Sequence, residues 1–207
     1  MKRKIQKLVT ILSIFLLLIF TDVLYGSILR KLSLEELISN SDLIIVGKCE
    51  KIETVWLDKK IYTIATIFVD QSVKGKSAIG DKIQVYILGG RVKEPIPVKM
   101  QVPGAATIEK EEEMVLFLES RGDEKQFHYP VGMAQGKISI STDPKTGEKI
   151  IHYAEPIKGV KWVDSKGQPL SPSKPGAISE PSKEGSLEGF IGRIQKIMAE
   201  QEKGGAK

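Results

Sequence analysis

The chain has 207 residues, of which 41% are hydrophobic and 28% charged, so it is close to ordinary globular composition and long enough for one compact domain with tails. Of its formal charge of +5, only +2 lies beyond residue 26, because Lys2, Arg3, Lys4, Lys7 and Asp22 all precede that point; this leaves no basic surplus of the kind that nucleic-acid binding requires. The one cysteine, Cys49, excludes an intramolecular disulfide, so the fold has to stand on its hydrophobic core.

The N-terminus places four basic residues before an apolar and hydroxyl-bearing run from Leu8 to Phe20. That is the n-region and h-region of an export signal, and the run ends at Thr21 and Asp22, short of the about 20 residues a spanning helix needs. Residues 1–26 therefore read as a signal peptide. Gly26 is small enough for the cleavage site, whereas Leu24 is larger than the pattern wants, which keeps an uncleaved anchor as the alternative.

In the following stretch, Ser33 and Glu36 have capping-box spacing, and Leu32 and Leu37 have the spacing of a hydrophobic staple. They predict a two-turn helix from Ser33 to Asn40 or Ser41. A strand from Leu43 to Ile52 follows, with Ile45, Gly47 and Cys49 on one face and Ile44, Val46 and Ile52 on the other. The next run, Ile61 to Val73, puts Thr63, Ala65, Ile67, Val69 and Val73 on one side and Ile64, Thr66 and Phe68 opposite. DKIQVYILGG alternates cleanly, with Ile83, Val85 and Ile87 inward against Lys82, Gln84 and Tyr86.

Residues 89–112 carry a Gly pair and three prolines, which predicts a long irregular excursion with one short edge strand. EMVLFLES is short and strongly apolar and belongs at the centre of a sheet. GKISIST and KIIHYAE flank the turn sequence DPKTGE and read as a hairpin. Residues 155–185 are rich in Pro, Ser, Gly and Lys, apolar only around Val160 to Val163, and read as a linker. Ser186 then caps a helix with Leu187, Phe190, Ile191, Ile194 and Ile197 in one stripe, and the tail from Gln201 is expected to fray. The expected organisation is a signal segment at 1–26, a β domain at 27–154, a linker at 155–185, and a C-terminal helix and tail at 186–207. The fold class is mainly β, a small barrel or sandwich with a short N-terminal helix and a C-terminal amphipathic helix.

The series NSDLIIVGKCEKI, VDQSVKGK, GDKIQVYILGG and EEEMVLFLES resembles a broad group of uncharacterised bacterial exported proteins and, more distantly, the netrin-like module of the tissue inhibitors of metalloproteinases. The likeness spans residues 33 to 140 and implies a partly open OB-like β-barrel. Those inhibitors reach a catalytic zinc through an N-terminal cysteine held by disulfides. Here processing would leave the N-terminus near Ser27, and Cys49 has no partner cysteine, so that chemistry does not carry over.

The chemistry-bearing residues are few. Cys49 would need a histidine and a lowered pKa to be a nucleophile, and as a small apolar residue on a core-facing strand it reads as packing. His128 and His152, in FHYP and IHYA, would form part of a metal or hydrolytic site if they faced each other across neighbouring strands. Glu109, Glu111, Glu112 and Glu113 are too closely consecutive for a calcium loop and read as a charged flank to an apolar strand. Gly89, Gly90, Pro103 and Gly104 bound the excursion where binding loops often lie, and Arg193 and Lys196 flank the C-terminal stripe, which is expected to pack back on the β domain. No nucleophile, metal-ligand or nucleotide motif is present. The expectation is an exported, non-enzymatic binding or structural module of the periplasm, envelope or extracellular space. Its partner would be a protein or envelope polymer, with no cofactor and with membrane contact only through the export segment. The alternative is a regulator of an exported protease acting through a barrel edge or loops.

Overall fold

The computed structural model describes residues 6, 27–93, 96–122, 127–153, 160–170 and 185–204. Almost all of the predicted export segment and much of the predicted linker lie outside the described residues. Among the described residues no helix is long and apolar enough to cross a membrane.

The capping box forms as its spacing requires. Ser33 Oγ accepts the Glu36 N–H, the Glu36 carboxylate accepts the Ser33 N–H, and helix α1 runs Leu34–Ser39. Leu32 and Leu37, the staple pair, are both buried, and Lys74 Nζ donates to the Ile38 carbonyl, placing a cation at the negative end of the helix. After three intervening residues the strand Leu43–Leu57 begins.

The strands are β1 (Ser27–Arg30), β2 (Leu43–Leu57), β3 (Lys60–Lys74), β4 (Lys82–Leu88), β5 (Gly90–Val92), β6 (Val98–Met100), β7 (Glu113–Arg121), β8 (Phe127–Pro130), β9 (Lys137–Thr142), β10 (Lys149–Tyr153) and β11 (Val160–Val163), and helix α2 spans Leu187–Gly204. Seven of them form one sheet in the order β10-β9-β7-β2-β3-β4-β8, and β8 also pairs with β7, which closes a ring of β2, β3, β4, β8 and β7. The seam between β4 and β8 is parallel and consists of a single bridge, Val85 to His128. Strands β9 and β10 extend outward from β7 as the expected hairpin.

Two cores result. Leu43, Ile45 and Cys49 of β2, Ala65, Ile67 and Val69 of β3, Ile83, Val85 and Ile87 of β4 and Met114, Leu116 and Leu118 of β7 fill the ring. The alternate residues Ile44, Val46, Val115, Phe117, Ile138 and Ile140 face outward and are covered by α1 and by Phe190, Ile191, Ile194 and Ile197 of α2. EMVLFLES is apolar throughout because β7 has a core on each side; Met114 to Leu118 are all fully buried. The C-terminal stripe packs back on the β domain as expected. Its helix continues to Gly204 instead of fraying at Gln201, whose Nε2 donates to the Glu35 carbonyl and to Ser39 Oγ of α1.

Three expectations need correction. The β2–β3 ladder slips at three places, leaving Glu50 on β2 and Asp70 and Val73 on β3 unpaired. Each bulge inverts the inside–outside phase, so Ile52 packs with the ring core and Val73 with the helix-covered core, opposite to strict alternation. Gly47 sits at one of these bends, where a Cβ would lie 2.4 Å from the Phe68 carbonyl oxygen. The excursion holds a hairpin of two short strands, β5 and β6, and then buries Ala106 and Ile108 in the ring. Within the predicted linker, β11 pairs in parallel with β1 over all four of its residues.

Candidate functional site

Cys49 lies in the ring core with no solvent exposure. Its N–H donates to the Glu112 carbonyl and its own carbonyl accepts the Glu111 N–H, so its backbone anchors the acidic turn. Burial pushes the thiol above its ordinary value, and its nearest polar contact is the Lys51 carbonyl at 3.6 Å. It is a core residue, as its position in an apolar strand indicates.

The histidines are not brought together. His128 is on β8, which pairs with β4 and β7, and His152 is on β10, which pairs with β9. Ser120 Oγ lies 3.0 Å from His128 Nδ1, and burial lowers the pKa of this imidazole while the nearby Asp42 carboxylate acts in the opposite direction. His152, exposed, contacts Ser141 Oγ at 2.6 Å. Among the described residues no three His, Cys, Asp or Glu side chains gather as a metal site.

The acidic run is divided among three lysines. Glu111 pairs with Lys48 and Glu113 with Lys149, both more open to solvent than the pair made by Glu112. Glu112 is different: it and Lys137 are 19% and 14% exposed, and Glu112 also accepts from Ser139 Oγ and the Glu109 N–H. Burial pushes its carboxyl up, and the hydrogen bonds from Lys137, Glu109 and Ser139 outweigh that, leaving it below the ordinary value. Lys137 Nζ donates as well to the Thr107 carbonyl, which ties the excursion to β9. An open groove of about 630 Å³ between the start of α2 and β10 is lined by residues of mixed polarity such as Gln71, Lys149, Leu187 and Gln195.

The most distinctive surface is on the other side of the ring. Since Ile83, Val85 and Ile87 point inward, Gln84, Tyr86 and Leu88 point out. Ladder partners on β3 place Tyr62 beside Leu88, Ile64 beside Tyr86 and Thr66 beside Gln84. From β8, Phe127 meets Tyr86 edge-on at 5.2 Å between centroids and Tyr129 lies 5.9 Å from it. Arg121 of β7 stands over the Tyr129 ring at 5.1 Å and pairs with Glu119 at 2.6 Å. Burial and the neighbouring Tyr62 phenol push Tyr129 above its ordinary pKa, with Arg121 opposing. Tyr62, Ile64, Leu88, Phe127 and Tyr129 are half-buried around a buried Tyr86, and both helices pack on the opposite flank of the ring. The signal was present in FHYP, whose aromatic residues rather than its histidine face outward beside Tyr86.

No protein-family model matches the chain, and no curated protein matches it in sequence.

Proposed function

We propose that the chain is an exported, non-enzymatic binding module built on an OB-type barrel, and that the outer face of β3, β4 and β8 receives a partner protein. The OB reading is supported by connectivity. Ring strands β2, β3, β4, β7 and β8, counted one to five, neighbour one another in the order one, two, three, five, four, with the third and fifth parallel.

The observation that carries the binding reading is the aromatic face itself. It has a buried tyrosine at its centre, half-buried Tyr62, Phe127 and Tyr129 around it, and charged groups at its edge: Arg121 with Glu119 on one side and Lys51 with Glu53 on the other. An apolar aromatic centre within a charged rim is the composition of a protein interface, and Tyr and Arg are the residue types that dominate binding energy there. The face is a sheet surface drawn from three strands, which favours a macromolecule over a small ligand.

The test is site-specific photo-crosslinking in the cell envelope. A photoreactive phenylalanine analogue at Tyr62 or Phe127 is expected to give a saturable adduct of defined mass that disappears when Tyr129→Ala is added. The same probe at Lys145, on the β9–β10 turn, is expected to give none. Adducts that are equal at both places, or insensitive to Tyr129→Ala, reject the assignment.

A further inference from the structure

The end of the molecule formed by the β2–β3 and β5–β6 hairpins is built differently from the rest. Ladder pairing of β2 with β7 stops at Lys48, whereas the β2–β3 hairpin continues to Leu57 and Lys60. Its two turn residues, Asp58 and Lys59, both have positive φ, 46° and 63°. A two-residue turn of this kind matches the twist of its strands and makes a stiff tip. The tip presents Trp56 at 48% and Leu57 at 38% exposure.

The second hairpin is seated beside it. The Gly89 N–H donates to the Ile61 carbonyl, and Gly90 lies against Thr54 and Thr63 so closely that a Cβ would come within 2.7 Å of both side chains. Val92 at the end of β5 is buried, and Ile96, between β5 and β6, is 68% exposed.

Charge distinguishes this end further. Arg91 is directly opposite Lys99 in the β5–β6 ladder, and both are exposed. Like charges in cross-strand register destabilise a hairpin, and this one is only three pairs long. Lys93, Lys59 and Lys60 are exposed too. Residues 56–60 and 91–99 together carry five cations against Asp58 and Glu94, an excess of three, which is more than the whole formal charge of residues 27–207.

We propose that this end docks on an anionic lipid bilayer, with Trp56, Leu57 and Ile96 entering the interface and Lys59, Lys60, Arg91, Lys93 and Lys99 facing the headgroups. Tryptophan is favoured at the membrane–water boundary, and each nearby lysine or arginine adds to the attraction of an anionic leaflet. The anionic surface also offsets the Arg91–Lys99 repulsion. This contact is separate from any made by the N-terminal apolar run, and it orients the domain with the aromatic face at its side.

The experiment uses the full chain carrying Trp162→Phe, which leaves Trp56 as the sole tryptophan. Since the Trp162 indole N–H is buried without a partner among the described residues, that substitution removes no hydrogen bond made there. Emission is followed in vesicles of phosphatidylcholine with phosphatidylglycerol, with bromines on the acyl chains as quenchers. Membrane contact by the N-terminal run does not bring Trp56 into the bilayer, so quenching reads the docking end alone. Trp56 emission is expected to shift blue and be quenched, and Lys59→Glu/Lys60→Glu or Arg91→Glu/Lys99→Glu to weaken this by at least about tenfold, with far-UV circular dichroism unchanged. Unquenched Trp56, equal quenching in the charge-reversed variants, or equal quenching in phosphatidylcholine alone overturns the proposal. A response to soluble heparin without a response to vesicles overturns it also, in favour of a soluble polyanion.

Discussion

Replacing Glu112 by glutamine isolates the one ion pair in the acidic run that, among the described residues, is substantially buried. The variant keeps the side-chain volume and one acceptor oxygen. It loses the charge that Lys137 pairs with, and it offers an NH2 group where one oxygen accepts from either the Glu109 N–H or Ser139. A hydrogen bond to a charged group contributes about 1.5–3 kcal/mol, and breaking a fully buried pair costs about 3–5 kcal/mol. With Glu112 19% and Lys137 14% exposed, and with Lys137 retaining the Thr107 carbonyl, the expected loss is about 2 kcal/mol. That corresponds to a fall of about 4–8 °C in Tm for a domain of this size. The sign of the pH dependence follows from the direction of the shift. A carboxyl held below its ordinary value, about 4.3, contributes its full stability above that value and loses it as the pH falls through the folded-state pKa. Urea unfolding of the two proteins should therefore differ most at neutral pH and converge in the acid range. A Glu112→Gln protein within about 0.5 kcal/mol of the parent at pH 7, inside the range of an ordinary surface substitution, or a gap that stays constant into acid, would refute the reasoning.

Gly47→Ala should cost about 2–4 kcal/mol by urea unfolding, because its Cβ would meet the Phe68 carbonyl, backbone that cannot turn aside. Phe190→Ala should cost about 3–5 kcal/mol, since the ring is 2% exposed and packs edge-on against Phe117 and Tyr153; retention of α2 protection in hydrogen exchange would contradict its role as anchor. Ser33→Ala should cost about 1 kcal/mol through loss of the cap. Cys49 should resist a thiol-specific reagent in the native protein and react stoichiometrically in denaturant, as a buried thiol of raised pKa does.

What could be read from the sequence was what is determined locally. Ser33 and Glu36 make their capping box through neighbours three residues apart, and EMVLFLES announces a central strand by having nowhere polar to turn. Ile83, Val85 and Ile87 occupy the core their alternation assigns them. Ile52 and Val73 went to unexpected faces because a bulge is imposed by the coiling of a strand around the ring, which alternation within that strand does not record. The β1–β11 pair joins Ser27 to Val160, segments that are individually too short to announce a strand. The aromatic face draws Tyr62, Tyr86, Phe127 and Tyr129 from three strands, so only the outward position of Tyr86 was visible beforehand. His128 drew attention by its chemistry, and its two aromatic neighbours form the surface.

The three bulges make the β2–β3 hairpin a part whose length is fixed. On β3, Val73 lies under the helices while Val69, Ile67 and Ala65 line the ring; on β2, Leu43 to Val46 alternate between the two cores and Cys49 and Ile52 line the ring, before the hairpin reaches the Trp56 tip. Adding or removing one residue between Ile44 and Ile52 would turn a wall inside out, moving β2 side chains such as Ile45 and Cys49 out of the core they fill. In descendants of this sequence, insertions and deletions should therefore collect at 75–81 and 143–147 and avoid this hairpin. A designer wishing to reach further with the tip would have to add residues in pairs beyond Thr54, where both strands are past their last irregularity.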